Sequence, residues 1–135
     1  MNDNQDYVSN PKIELGHKFE DERGVIESVL SFKDPQLGSV VIIDSEKDTI
    51  RANHYHKEDW HFCYVLYGSI DYYARNVDSE EKPVKTKINK GELFYSPPMI
   101  EHAMYFTEKT SFLTLSGGSR TSEDYEKDLV RVKLI

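Results

Sequence analysis

The stretch Ile50-Arg51-Ala52-Asn53-His54-Tyr55-His56-Lys57-Glu58-Asp59-Trp60-His61-Phe62-Cys63-Tyr64-Val65-Leu66-Tyr67-Gly68 decides the fold of this 135-residue chain. It reads as two extended segments, Thr49 to His56 and His61 to Tyr67, separated by the polar Lys57-Glu58-Asp59. Residues two apart on a strand share a face, so His54 and His56 point the same way. Strict alternation puts Ile50 and Ala52 on that inward face, and Arg51, Asn53 and Tyr55 on the other. His61 shares its face with the apolar Cys63 and Val65, which predicts that the second strand turns His61 toward the same interior.

Outward from this stretch come further short alternating or apolar runs: Ile13 to Phe19, Val25 to Phe32, Ser39 to Ile43 and Ser69 to Arg75. The breaks Asp21-Glu22-Arg23-Gly24, Asp34-Pro35-Gln36-Leu37-Gly38, Asp78-Ser79-Glu80-Glu81 and Asn89-Lys90-Gly91 carry turn chemistry, and such spacing predicts an all-β sandwich or barrel. Thr121-Ser122-Glu123-Asp124 resembles a helix start with early carboxylates, and Tyr125 to Asp128 complete about one turn. The tail Leu129 to Ile135 alternates and suits a final strand. Residues 1–11 are mostly polar and punctuated by Pro11, which predicts a flexible arm ahead of a single domain over residues 12–135.

A second histidine cluster, Pro97-Pro98-Met99-Ile100-Glu101-His102, opens another strand on which His102 shares parity with Met104 and Phe106. Several neutral imidazoles on one wall are the donor set preferred by zinc, iron, nickel or copper, so His54, His56, His61 and His102 form a candidate site for a divalent transition metal. Metal-free acid and base histidines are the competing reading, and interior histidines satisfied by hydrogen bonds the plainest one. His17, isolated before a charged turn, reads as a surface residue, and Glu58 and Asp59 as solvated turn residues that are second candidates for a carboxylate ligand.

Composition narrows the partners. Seventeen Lys and Arg against twenty-four Asp and Glu give a net charge of −7, which disfavours nucleic acid and anionic membrane surfaces. The single Cys63 excludes an internal disulfide, and no apolar run approaches the ~18 residues of a membrane span, so a cytoplasmic protein is expected. No Gly-x-Ser-x-Gly elbow or glycine-rich phosphate loop is present, and Cys63 reads as packing rather than a nucleophile.

Ile50 to Gly68, with His-x-His, a polar residue at His61 and Gly68 beyond it, resembles the first motif of the cupins. Gly91 to His102, with its glycine, proline and last histidine in register, resembles the second. The fold this implies is a single jelly-roll double-sheet barrel with a short C-terminal helical turn. His61 stands where cupins usually place Glu, and Met99 where they usually place glycine. Phe19-Glu20-Asp21-Glu22-Arg23-Gly24 followed by Arg51-Ala52-Asn53-His54-Tyr55-His56-Lys57 is similar to cupins acting on nucleotide-linked deoxysugars: the dTDP-4-keto-6-deoxyglucose 3,4-ketoisomerases and, more distantly, the dTDP-4-dehydrorhamnose 3,5-epimerases.

That resemblance implies proton abstraction beside a ketone through an enediol or enolate. Imidazole, with its ordinary pKa near 6.5, suits the task, and His54 or His56 is the candidate base. Tyr72, Tyr73 and Tyr95 are candidates for a hydroxyl at the enolate oxygen, with Tyr72 and Tyr95 carried forward. Arg51, Lys57 and Arg75 are candidates to bind the substrate's pyrophosphate, with Arg23 a further possibility. A homodimer is expected from the resemblance, with the tail strand offering an edge to a neighbour. Two other readings stay open: a metal-dependent cupin dioxygenase or lyase, and a non-catalytic metal- or sugar-binding cupin.

Overall fold

The computed structural model describes residues 4–31, 37–118 and 121–135. In chain order its elements are β1 (Lys12–Ile13), β2 (Lys18–Asp21), β3 (Gly24–Glu27), β4 (Ser39–Ser45), β5 (Thr49–His56), β6 (His61–Tyr67) and β7 (Ser69–Asn76). There follow β8 (Val84–Asn89), β9 (Leu93–Ser96), β10 (Ile100–Phe106), β11 (Thr110–Ser116), α1 (Ser122–Asp128) and β12 (Leu129–Arg131). One five-stranded sheet runs β1-β9-β6-β11-β4, a second runs β12-β5-β10-β7-β8, and β2 and β3 make a separate hairpin. This is the expected double-sheet jelly roll. No described helix is long and apolar enough to cross a membrane.

The sheets close on each other because both present an apolar inner face. From the second come Ile70, Tyr72, Ala74, Ile88 and Phe106, and from the first Cys63, Val65, Phe94 and Phe112, all buried in one cluster. Tyr72 packs on Phe94 with ring centroids 4.6 Å apart, and Phe106 stacks on Phe112 at 5.9 Å, each pair joining the two sheets. Each fully buried side chain of this kind contributes on the order of 1.5–3 kcal/mol. Gly68, between β6 and β7, has φ +83°, and a Cβ there would strike the Thr110 hydroxyl and the Lys109 carbonyl. Thr110 Oγ1 in turn meets the Ser69 N–H at 3.1 Å, which fixes how β7 leaves β6.

Strict alternation fails along β5. Ala52 and Asn53 both have left-handed backbone, φ 70° and 55°, and the pairing with β10 slips there, from His102 opposite His54 to Ala103 opposite Ala52. This bulge reverses the parity expected before it. Arg51 falls opposite the inward Met104 and borders the cavity while remaining exposed, and Ile50, expected inside, is 49% exposed. Asn53 uses its amide oxygen to accept the backbone N–H groups of Leu134 and Ile135 at 3.1 and 3.2 Å, so the bulge also ties down the C-terminus.

The ends of the chain differ from expectation in three respects. The arm expected to be flexible is docked from Asp6 onward: the Asp6 carboxylate accepts the Val8 and Ser9 N–H groups, Tyr7 and Val8 are buried, and Pro11 accepts the Tyr95 N–H at 2.9 Å. Two apolar side chains entering the body outweigh the polar composition around them. The run from Ile13 to Phe19 is broken into β1 and β2 rather than one strand. The tail strand is shorter than its alternating pattern, and it pairs within the chain, Leu129 to Arg131 lying against His56 to His54 of β5. Phe32 and most of the turn expected at Asp34 to Gly38 lie outside the described residues.

Candidate functional site

The four histidines meet around one interior cavity. Antiparallel pairing sets His102 of β10 directly opposite His54 of β5, with ring centroids 4.7 Å apart. His56 lies 4.8 Å from His54 along the strand, and His61 of β6 reaches across from the facing sheet to 4.6 Å from His56. Nitrogens of His54, His56 and His102 all fall within 4.8 Å of one another, whereas His61 stands outside that group.

Burial among like groups keeps two of these imidazoles neutral. His54 is lowered from the ordinary 6.5 to about 2, first by burial, then by the neighbouring His102, His56 and His61, whose positive forms would repel its own. His102 is lowered to about 4, again chiefly by burial, with a hydrogen bond to the Ile100 carbonyl pulling the other way. That bond, 3.0 Å from Nδ1, requires a proton on Nδ1 and leaves Nε2 as the basic nitrogen.

Two carboxylates complete the site, and the sequence assigned neither a definite role. Asp128, at the end of α1 and 72 positions from its partner, lies 3.0 Å from His56 Nδ1. The same carboxylate accepts the backbone N–H of Glu58 at 2.8 Å and of Asp59 at 3.1 Å. Burial raises the Asp128 pKa, but those two N–H groups and His56 outweigh it, and the net shift is downward. An ionised Asp128 can only accept, so His56 donates from Nδ1 and its Nε2 is the basic nitrogen. Asp59 approaches His61 less closely, at 3.6 Å, while its other oxygen accepts the N–H groups of Trp60 and Gly118 at 2.8 Å each. A Cβ on Gly117 would sit 2.7 Å from the Trp60 indole and one on Gly118 2.9 Å from Asp59, so only glycines let this loop close over the pair.

The interior cavity holds about 130 Å³ and is lined by the four histidines together with Arg51 and Tyr125 among others. A second, more open cavity of about 340 Å³ lies beyond His56 and Tyr125 and is acidic, with Glu58, Asp59, Asp124 and Asp128 in its wall. Arg51, exposed at the border of the cavity, is held by bonds from Nε to Ser45 Oγ at 2.6 Å and from a terminal nitrogen to the Asp44 carbonyl at 2.9 Å.

Most of the other residues singled out in the sequence lie elsewhere. Lys57 is exposed and borders a shallow patch with Glu58, Asp124 and Lys127. Arg75 lies on the outer face of the second sheet, bonded to Glu101 at 2.7 and 2.8 Å, and Arg23 pairs with Asp21 in the hairpin turn. Tyr72 is wholly buried beneath His102 in the core, outside the cavity lining, and burial raises its pKa with the Ser96 hydroxyl opposing. Tyr95 faces outward from β9, where it packs on Phe62 and Tyr7. Their parity held the signal: Ile70, Tyr72 and Ala74 alternate with Asp71, Tyr73 and Arg75, and Phe94 and Ser96 with Tyr95. His17 is exposed, as expected, and Cys63 is buried with its sulfur 3.6 Å from Thr114 Oγ1.

A family model described as Cupin matches residues 14–131. No curated protein sequence matches the chain. Among solved structures, a double mutant of the 3,4-ketoisomerase QdtA from Thermoanaerobacterium thermosaccharolyticum in complex with TDP is similar at 24% identity and a TM-score of 0.68, covering 90% of this chain and 84% of that one. The dTDP-4-dehydrorhamnose 3,5-epimerase of Sulfolobus tokodaii matches at 21% identity and 0.64, over 84% and 78% of the two chains. The capsular polysaccharide assembling protein CapF of Staphylococcus aureus matches at 18% and 0.65, over 90% of this chain but 32% of its own. These likenesses describe the fold, and the family match over nearly the whole chain establishes that the protein belongs to the cupin family.

Proposed function

We propose that this cupin isomerises or epimerises a nucleotide-linked 4-keto-deoxysugar by histidine-mediated proton transfer. The observation that carries the reading is the hydrogen bond of Asp128 to His56 Nδ1 at 3.0 Å, beside a cavity whose other imidazoles include the neutral His54 and His102. A base of this form takes the proton on carbon beside the ketone at Nε2, and Asp128 stabilises the imidazolium that results. The released electron pair becomes a carbon–carbon double bond and the carbonyl pair moves to oxygen. Neutral neighbours do not repel the imidazolium as it forms, and it returns the proton to the other carbon or the other face.

Size and charge indicate how such a substrate enters. At about 130 Å³ the interior cavity is smaller than the ~300–1,000 Å³ of ordinary ligand sites, so it accepts the reacting sugar and leaves the nucleotide outside. The acidic cavity beyond His56 repels a diphosphate, whereas Arg51 attracts one. The structural relatives named above include one bound to TDP, which accords with this assignment. A cytoplasmic setting goes with the same reading.

Homodimerisation is part of the proposal, through a surface other than the tail strand. Phe19, Val25 and Ile26 on the hairpin and Val40, Ile42 and Leu66 on the outer face of the first sheet are 37% to 69% exposed. Leu66 also lines an apolar groove with Phe62, Leu93, Leu113 and Leu115, so the exposed side chains of the first sheet continue into a concave apolar surface of the kind an interface between copies covers. A second copy of the chain is the occupant we propose. Ile42→Asp should give the monomer's mass by sedimentation; a protein that is monomeric to begin with refutes this part.

A second reading rests on the nitrogens of His54, His56 and His102 within 4.8 Å of one another. Three imidazoles, two of them steered by Asp128 and the Ile100 carbonyl, fit zinc, iron, nickel or copper. Such an ion would supply a Lewis acid or a centre for dioxygen chemistry, as in cupin dioxygenases and lyases. Proton NMR in D₂O with dTDP- and UDP-linked 4-keto sugars separates the readings. The isomerase reading expects deuterium incorporation and product, undiminished by chelation and lowered at least about 100-fold in His56→Asn. No conversion or exchange, together with stoichiometric iron, nickel or copper in the purified protein, refutes it in favour of the metal.

A further inference from the structure

The proton transfer above produces an oxyanion that needs a donor, and none of the tyrosines singled out in the sequence provides one. Tyr72 is buried in the core, Tyr95 faces outward, and Tyr73 lies on the outer face with the Lys85 ammonium 6.0 Å from its ring. Tyr125 occupies the place they leave open. It borders the interior cavity and, with His56, also borders the acidic one, so its ring stands at the partition between the two. Its centroid is 5.6 Å from that of His56 and 6.4 Å from that of His54.

Helix geometry explains the placement. Tyr125 and Asp128 are three residues apart on α1, so they share one face of the helix. The bond of Asp128 to His56 therefore fixes where Tyr125 falls, and the pairing of Leu129–Arg131 with β5 holds the helix end in register. The segment that brings the base its carboxylate thus brings a phenol to the same cavity.

We propose that Tyr125 is a catalytic residue of this site, its hydroxyl donating a proton to the substrate's carbonyl oxygen as His56 removes one from the adjacent carbon. This rests on the isomerase or epimerase reading above. The C–H bond breaks with its proton going to His56 and its electron pair forming the double bond. The carbonyl oxygen receives the π pair and the phenolic proton, leaving a phenolate. In the second half the phenolate recovers a proton from an enediol hydroxyl as the imidazolium protonates carbon. Atoms and charge balance, and no oxidant or reductant is required.

The test compares full-length Tyr125→Phe and His56→Asn with the wild type, following turnover of a dTDP-4-keto-6-deoxy sugar by NMR and thermal stabilisation by dTDP. Tyr125→Phe is expected to lower kcat about 100-fold or more, with KM within about threefold and the dTDP-induced shift unchanged. Tyr125→Phe within threefold of wild-type kcat, with His56→Asn inactive, overturns the role of Tyr125 and leaves the isomerase reading standing. Loss of the dTDP shift or of thermal stability in Tyr125→Phe makes the tyrosine a packing residue and also overturns the proposal. A wild type that neither converts nor exchanges the sugar overturns both.

Discussion

His54 and His102 face each other across a strand pair, and among the described residues neither forms an ion pair; His56 and His61, at the other side of the same cavity, each have a carboxylate close by. The four are of one residue type, within a few ångströms, yet their surroundings divide them. Burial among other imidazoles, with no carboxylate beside the ring, keeps an imidazole neutral, as the values of about 2 and 4 for His54 and His102 express. Burial beside an ionised carboxylate fixes a tautomer and supports a transient positive charge. The lesson is that ligand-like clustering and acid–base chemistry are separated by what lies behind each ring.

The largest effect should come from erasing that difference at His56. Asp128→Asn preserves the shape of the side chain but removes the charge and allows the amide to turn a donor toward Nδ1, which favours the wrong tautomer. Turnover is expected to fall about 10²- to 10⁴-fold, measured as kcat, with substrate binding little changed. Wild-type turnover in this variant would mean that His56 is no different from His54 and His102, and that the carboxylate serves only to anchor α1.

Acid stability examines the neutral pair. An unfolded histidine protonates near pH 6.5, whereas folded His102 resists until about pH 4 and His54 until about pH 2. Below pH 6.5 the unfolded state therefore binds more protons, so stability is lost as the pH falls through that window. At pH 5 the loss is about 2 kcal/mol for each of the two. Urea unfolding at pH 7 and pH 5 should show this, and His102→Asn should flatten the dependence. A slope identical to the wild type's would remove His102 from the neutral class.

How much of this was legible in the sequence depends on distance along the chain. Alternation located His61 and His102 on inward faces because their apolar strand neighbours share their parity, and it paired His54 with His56 on one face because the two lie beyond the bulge. The same logic misplaced Arg51, since the bulge at Ala52 and Asn53 arises from paired left-handed residues that no composition signal marks. Asp128 and Tyr125 were read only as parts of a short helix. Nothing local to Thr121–Asp128 reveals that the helix packs on a strand some 70 residues earlier, because tertiary pairing of β12 with β5 sets that contact. Docking of Tyr7 and Val8 was hidden for the same reason.

Arg51 and Arg75 offer a smaller contrast between an arginine at the cavity and one on the outer sheet face. Arg51→Gln should weaken dTDP binding about tenfold by calorimetry, since one charged contact to a diphosphate is worth about 1.4 kcal/mol. Arg75→Gln should leave binding unchanged, and lower stability through loss of the partly buried contact with Glu101. Equal weakening in both would place the diphosphate somewhere other than the mouth marked by Arg51.

The smallest effect concerns the two carboxylates themselves. Asp128 meets His56 at 3.0 Å, within the range of an N–H to oxygen hydrogen bond, whereas Asp59 stands 3.6 Å from His61 and lies beyond it. Asp59 also spends one oxygen on the N–H groups of Trp60 and Gly118, a function that an amide oxygen performs as well. Asp59→Asn should therefore keep the loop closed and change kcat by less than about fivefold, against the much larger loss in Asp128→Asn. Equal losses would make His61 and Asp59 a second working pair, and the partition of the four histidines would then follow the presence of a carboxylate rather than its hydrogen bond.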